Sequence, residues 1–388
     1  MSRFVYADNA ATTKLSQTAL DAMLPWLAEG YGNPSSVYRL GREARRALDQ
    51  ARDQVAAALG AKSEEILFTG TGTEADNWAI RSVAESKKEK GRHIISCAIE
   101  HHAVSHTLED LAKQGFEIEY LPVDECGRVS VEALDAAIRE DTILVTIMFA
   151  NNEIGTIQPI AEIGALARAR GVLFHTDAVQ AVGHVPVDVA VMNIDLLSLS
   201  GHKFRGPKGV GALYVKKGIK LPNFLTGGGQ EKGRRAGTEN VAGIVGMAAA
   251  LTEAVQHMDE ERAKITALRD KLIQGMTAIP AVKLTGDPVN RLPGNASFVV
   301  ECVEGEAMIL MLDAVGIAAS SGSACSSGAL DPSHVLLAIG LPHEIAHGSV
   351  RLSLGEESTE DDVDYILEKF PGIIAKLRAM SPLWEAKS

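Results

Sequence analysis

Short runs of β-branched and apolar residues recur along the chain. Each leads into a polar turn and then into a stretch with helical spacing. Ile66–Phe68 precedes TGTGTEADN, His93–Ser96 precedes CAIEHHAV, and Ile143–Phe149 precedes ANNEIG. Val172–His175 precedes TDAVQ and Asp195–Leu199 precedes SGHK. The runs are nearly all apolar rather than alternating, as expected of strands covered on both faces. Between them, Val131–Arg139 and Ile160–Ala169 carry helical patterns. This rhythm predicts an α/β protein with a wound, mostly parallel sheet flanked by helices. A long helical pattern, Val241 to Met276, breaks it. Beyond lie strand-like Ala296–Val303, a helix near Glu306–Ala314, a Ser/Gly-rich loop over 320–328, strand-like Ser349–Leu354 and a helix from Glu360 to Met380. We read a large domain over 15–259 and a smaller α+β domain made of 1–14 with 260–388.

Composition narrows the class. The chain has 388 residues, 46% apolar and 23% charged, enough to bury a sizeable core and to exclude a mainly disordered chain. The net charge of −12 argues against a general binder of nucleic acid or of anionic membranes. The four cysteines, at 97, 126, 302 and 325, form no CxxC pair, so no Cys-based zinc framework is visible. So few thiols in so long a chain suit a reducing cytosol. The N-terminus has no apolar run of signal-peptide length, and the stretch Asn240 to Thr252, 13 residues without charge, is too short to span a bilayer. A cytoplasmic protein is expected.

Polar residues cluster where the strand-like runs end, the edge at which wound α/β sheets bind ligands. Lys203 follows such a run in SLSGHKFRGPKG. Burial there would lower its pKa and favour a Schiff base with an aldehyde, whereas a surface lysine is the plain alternative. Ser200 and His202 beside it can bind an anion. Asp177, in HTDAVQ, would need a cationic partner if buried, such as a protonated pyridine nitrogen; a helix N-cap is the other reading. Gln180 lies three residues on. TGTGTEADN, with Gly72 and Thr73, suits a phosphate at a helix N-terminus but lacks the P-loop and dinucleotide spacings. In IEHHAV, His101 and His102 both qualify for ring stacking or proton transfer, and sequence alone does not choose between them. Cys325, in the Ser/Gly-rich loop, reads as an exposed thiol and a candidate nucleophile. Arg351, in SVRLSL, falls on the opposite face from Val350 and Leu352 and suits a carboxylate. HEIAH, from His343 to His347, matches a zinc-protease string, but the segment is short, no third ligand follows at a metzincin position and the acidic residues of ESTEDD read as a surface helix start, so no metal is expected.

In this order, the motifs resemble the cysteine desulfurases of the NifS/IscS type, fold-type-I pyridoxal 5′-phosphate (PLP) enzymes of the class V aminotransferase group. The resemblance runs through YADNAATT, YGNPSSVYRLGREAR, TGTEADN, EHHAV, NNEIGTIQPI, HTDAVQAVG, SGHKFRGPKGVGALYV, GGGQEKGRRAGTEN, SGSACSSGALDPSHVLLAIG and SVRLSLG. It covers essentially the whole chain and implies a large domain with a sheet of the seven-stranded type. It also implies PLP joined to Lys203, with Asp177 on the pyridine nitrogen, Gln180 on the phenolic oxygen and His101 stacked on the ring. Gly72, Thr73, Ser200, Gly201 and His202 would hold the phosphate, and Thr238 would reach the phosphate of a neighbouring subunit in a homodimer. Asn152 and Arg351 would bind the substrate carboxylate, with Asn152 also near the cofactor. Cys325, Lys203 and His101 would be catalytic. The implied reaction converts L-cysteine to L-alanine and passes sulfur to Cys325 as a persulfide, for a protein acceptor such as an iron–sulfur scaffold. A selenocysteine lyase or another PLP-dependent lyase or aminotransferase is the alternative on the same fold. Gly201 stands where the family often has Ala, and Phe149 where His is frequent; neither removes a named functional group.

Overall fold

The computed structural model describes residues 3–321 and 332–385; Cys325 lies outside the described residues. In chain order the strands are β1 (Val5–Tyr6), β2 (Ile66–Thr69), β3 (His93–Cys97), β4 (Glu117–Leu121), β5 (Thr142–Thr146) and β6 (Leu173–Asp177). There follow β7 (Leu196–Ser200), β8 (Gly211–Val215), β9 (Val282–Leu284), β10 (Asn295–Val300), β11 (Ile317–Ala318) and β12 (Ser349–Ser353).

A seven-stranded sheet, ordered β2-β8-β7-β6-β5-β3-β4, forms the centre. β8 pairs antiparallel with β2 and β7, and every other pairing is parallel. The carboxyl ends of β2, β3, β5, β6 and β7 therefore share one edge. Two of these strands lie outside the sequence expectation. β4 reads EIEYL and is half exposed, an edge strand whose glutamates mask it. β8 starts at a glycine just after a Pro-Lys-Gly turn and is completely buried.

Apolar side chains fill both faces of this sheet. Leu197, Leu199, Phe174, Val145 and Ile95 pack on one side. On the other, Leu196, Leu213, Leu144 and Ile94 meet Ala75, Ala79, Ile80 and Val83 of the helix Gly72–Lys87. A separate core joins β10, β12 and the helices Met258–Thr277, Gly305–Ala314 and Glu360–Arg378 through Phe298, Val350, Leu352, Leu272, Leu312, Ile366 and Phe370. Val5 and Ala7 belong to it, and β1 pairs in parallel with β11.

The single long helix expected over Val241–Met276 is two helices, Val241–Gln256 and Met258–Thr277, meeting at 74°. The first packs on Gln17–Ala28 and Arg39–Ala58, and the second on the other core. Asp259, Glu260 and Glu261 open the second helix, where the positive end of its dipole favours them. Among the described residues, no single helix is long and apolar enough to cross a membrane.

One buried ion pair fastens the sheet's edge. Arg52 donates to both oxygens of Glu231, at 2.8 and 2.7 Å, and to the Ile66 carbonyl. Glu231 accepts the Phe68 N–H as well. Removing one partner strands a buried charge, so Arg52→Ala should cost about 3–5 kcal/mol in urea unfolding, and Arg52→Met much less only if paired with an apolar partner at 231.

Candidate active site

The site is assembled at the shared edge of the sheet. Lys203 ends the short turn Gly201–Lys203 directly after β7. Its Nζ donates to the carbonyls of Ala10, at 2.6 Å, and Ala11, at 2.9 Å. Those carbonyls belong to a strap of the N-terminal segment that Thr13 fastens, its N–H and hydroxyl both donating to the His202 carbonyl. Asn9 and Ala10 tie the strap's other end to Ser353, at the end of β12. Gln180 reaches the same place, its Nε2 donating to the Ala10 carbonyl at 2.9 Å.

Asp177 ends β6, the strand beside β7, and is buried. It accepts the Val179 N–H at 2.9 Å. Burial raises its pKa, against the pull of His101, the Val179 N–H and Lys203. His101 is the N-cap of the helix His102–Lys113, and its Nδ1 accepts the Ala103 N–H. That bond fixes the neutral tautomer with its proton on Nε2. Burial, and then Lys203 among the neighbouring cations, lower the pKa of His101, while Asp177 raises it. Position thus separates the two adjacent histidines: His101 feels Asp177 and Lys203, whereas the His102 ring stacks on His106 at 4.8 Å and meets His334 at 5.1 Å.

Gly72 and Thr73 are the first two residues of their helix, so their N–H groups have no acceptor within it. A Cβ at Gly72 would come within 2.7 Å of Val179 and 3.2 Å of Ser200, so only glycine lets the helix start this close to β6 and β7. Ser200 is buried beside it, and Gly201 is packed too tightly against Met247 and Pro207 for a side chain without a shift of its neighbours. His202 is half-buried with Nδ1 3.1 Å from the Thr12 hydroxyl; burial, with Lys203 and Lys208, pushes its pKa down to about 4.

Arg351 is buried on β12. It donates to the Asn152 carbonyl at 2.9 Å and to Asp8 at 2.8 Å, while its Nε has no hydrogen-bond partner among the described residues. Asn152 itself follows β5, so the large sheet and β12 meet at this pair. Thr238 is exposed in the loop after Arg235. Cys325 is outside the described residues.

Several groups at this edge escaped the sequence reading. Asp8 and Arg351 are 343 positions apart and meet only through the fold. Glu153, beside Asn152, is buried and accepts from Ser333; burial pushes its pKa up to about 7. Glu100, beside His101, accepts the Met148 N–H and the Cys97 thiol, and burial pushes it up to about 8. Glu100 and Glu153 sit within the quoted EHHAV and NNEIG strings, which was the available signal.

Among known proteins, the chain matches the family described as "Aminotransferase class-V" over residues 5–366. It is 56% identical to the cysteine desulfurase IscS of Clostridium botulinum, over 99% of this chain and 98% of that protein. Identity to the cysteine desulfurase NifS of Azotobacter vinelandii is 47%, over 98% and 95%. A solved structure titled as a NifS-like protein superposes with a TM-score of 0.92 at 39% identity, over 97% of this chain and 100% of that one.

Proposed function

Because the chain belongs to the class-V aminotransferase family, among its cysteine desulfurases of the NifS/IscS type, we propose that the site described above converts L-cysteine to L-alanine with PLP as cofactor. The observation that carries this reading is the pairing of Lys203 and buried Asp177 at the ends of neighbouring parallel strands. The donor set fits PLP: an amine for its aldehyde, a buried carboxylate for its pyridine nitrogen, and a helix start cleared of side chains for its phosphate.

Gly72, Thr73, Ser200, Gly201 and His202 would hold the phosphate, with Thr238 supplied by a partner copy in a homodimer. Asp177 would hold the ring nitrogen, Gln180 the phenolic oxygen, and His101 and Asn152 would lie against the ring. When bound, PLP supplies an electron sink for the pair released from the substrate's Cα–H bond.

The protein's own groups then have distinct tasks. Lys203, once its amine is free, takes the proton from the substrate Cα. His101, neutral with its proton on Nε2, donates from that atom. Asn152 and Arg351 hold the substrate carboxylate; the unpaired Arg351 Nε is a donor that a carboxylate satisfies. The Cys325 thiolate takes the substrate sulfur as a persulfide. The electron pair of the broken C–S bond stays on carbon, which is protonated to give alanine. The persulfide passes to a protein acceptor, an iron–sulfur scaffold being the kind that these relatives suggest. The scarcity of cysteine supports a cytoplasmic setting.

The reading is tested by adding PLP and L-cysteine to the purified protein. It should gain visible absorbance and release alanine; neither happening overturns the proposal. Arg351→Ala should raise KM for cysteine about 10- to 100-fold, with a smaller effect on kcat, because it removes a charge-assisted anchor used in ground and transition states alike. A steady-state alanine assay checks that split.

A further inference from the structure

Beneath the candidate cofactor site, a row of polar side chains crosses the face of the sheet that is covered by the helix Gly72–Lys87. Thr146 on β5 meets His175 Nδ1 at 2.8 Å, and His175 Nε2 meets the Ser198 hydroxyl on β7 at 3.1 Å. The Ser198 side chain also faces Asp76, one turn into that helix, and works against the upward shift of its pKa. Every member of the row is buried, Asp76 being only 1% exposed. Among the described residues, Asp76 Oδ1 has no hydrogen-bond partner; it lies 3.6 Å from His175 Nε2.

The row links the elements whose ends hold the candidate site. Asp76 is four residues from Gly72, His175 two residues from Asp177, and Ser198 two residues from Ser200. A rigid planar cofactor needs those ends at fixed spacing, because its phosphate, ring nitrogen and aldehyde cannot adjust to one another.

Charge must also be accounted for. The titratable groups facing Asp76 are Asp177 and His175 from β6 and Glu100 from the turn after β3. None is a lysine or arginine. Burial, with the Asp177 charge, pushes the Asp76 carboxyl well up, and burial pushes His175 down to about 3, so His175 offers no positive charge. An ionised Asp76 would put a second negative charge next to Asp177, with no lysine or arginine facing Asp76 itself among the described residues.

We propose that Asp76 is a positioning residue, present as the uncharged carboxylic acid, that ties the phosphate-binding end of its helix to β6 and β7 and leaves Asp177 to carry the negative charge under the ring. This rests on the PLP reading above for its cofactor readout. Its protonation does not.

The test uses the full chain labelled with 13C-aspartate. Infrared spectra at neutral pH should show a protonated-carboxyl band that disappears in Asp76→Asn, with or without added PLP. Asparagine keeps the shape and can still hydrogen-bond but cannot ionise. Asp76→Asn should therefore hold PLP affinity within about threefold of the parent, while Asp76→Ala weakens it about tenfold or more. If Asp76→Ala fails to fold, Ser198→Ala serves instead, with a loss of about threefold or more expected. The proposal is overturned if Asp76→Asn removes no such band, if asparagine weakens PLP as much as alanine does, or if Ser198→Ala leaves affinity unchanged. A parent that binds no PLP would refute the proposed function, and the infrared result would still decide the state of Asp76.

Discussion

Lys203→Ala should lower alanine formation from cysteine by about 1,000-fold or more, since it removes both the covalent attachment and the base proposed for this site. The expectation follows from placement. The amine sits on a turn at the end of β7, next to the β6 strand that carries Asp177, and its Nζ is aimed at the strap carbonyls of Ala10 and Ala11. Among the described residues, no other lysine occupies the end of a parallel strand at this edge. PLP should still bind the variant through Asp177 and the helix start, but without the absorption band of the lysine-linked form. Borohydride reduction followed by peptide mapping checks the assignment directly: the label should sit on Lys203 in the parent and be absent from the variant. Label on another lysine would end the case for Lys203.

Cys325→Ala should keep PLP and cysteine binding but lose sulfur transfer, with turnover down about 100-fold or more. Two of the other three thiols are poor substitutes. Cys97 is buried and donates to Glu100, and burial raises its pKa well above the ordinary thiol value. Burial also raises Cys126, with acidic neighbours adding to the shift. The thiolate is the attacking form of a cysteine, so raised values leave these groups less ionised at neutral pH than an ordinary thiol. Mass spectrometry after one turnover should find the persulfide on Cys325 alone, and the combined Cys97→Ala, Cys126→Ala and Cys302→Ala protein should still form it. Full sulfide release by Cys325→Ala would overturn its role.

Much of this architecture is legible in the sequence alone. The apolar runs at Ile66, His93, Ile143, Val172 and Asp195 became five strands of the central sheet, within a residue or two at their starts. Lys203 and Asp177 could be singled out because a strand followed by a polar turn places the turn at a known edge. The edge strand β4 was hidden because its exposed glutamates break the apolar pattern, and β8 because a glycine start and a preceding turn resemble a loop. The break at His257 was hidden because both helices keep helical spacing, and only the separation of the two cores bends them apart.

Sequence by itself determined the strand–loop–helix order, the residue types at the strand ends and the family to which the chain belongs. These are local properties: periodicity and short motifs survive without knowledge of what packs against them. Tertiary structure decided which distant groups meet and which of them carry charge. Asp8 reaches Arg351 across nearly the whole chain, and Lys203 finds the carbonyls of an N-terminal strap. Asp76 reads as an ordinary helix aspartate until its helix closes over β6 and β7. A carboxyl group's charge depends on the water and partners around it, and only packing removes the one and supplies the other.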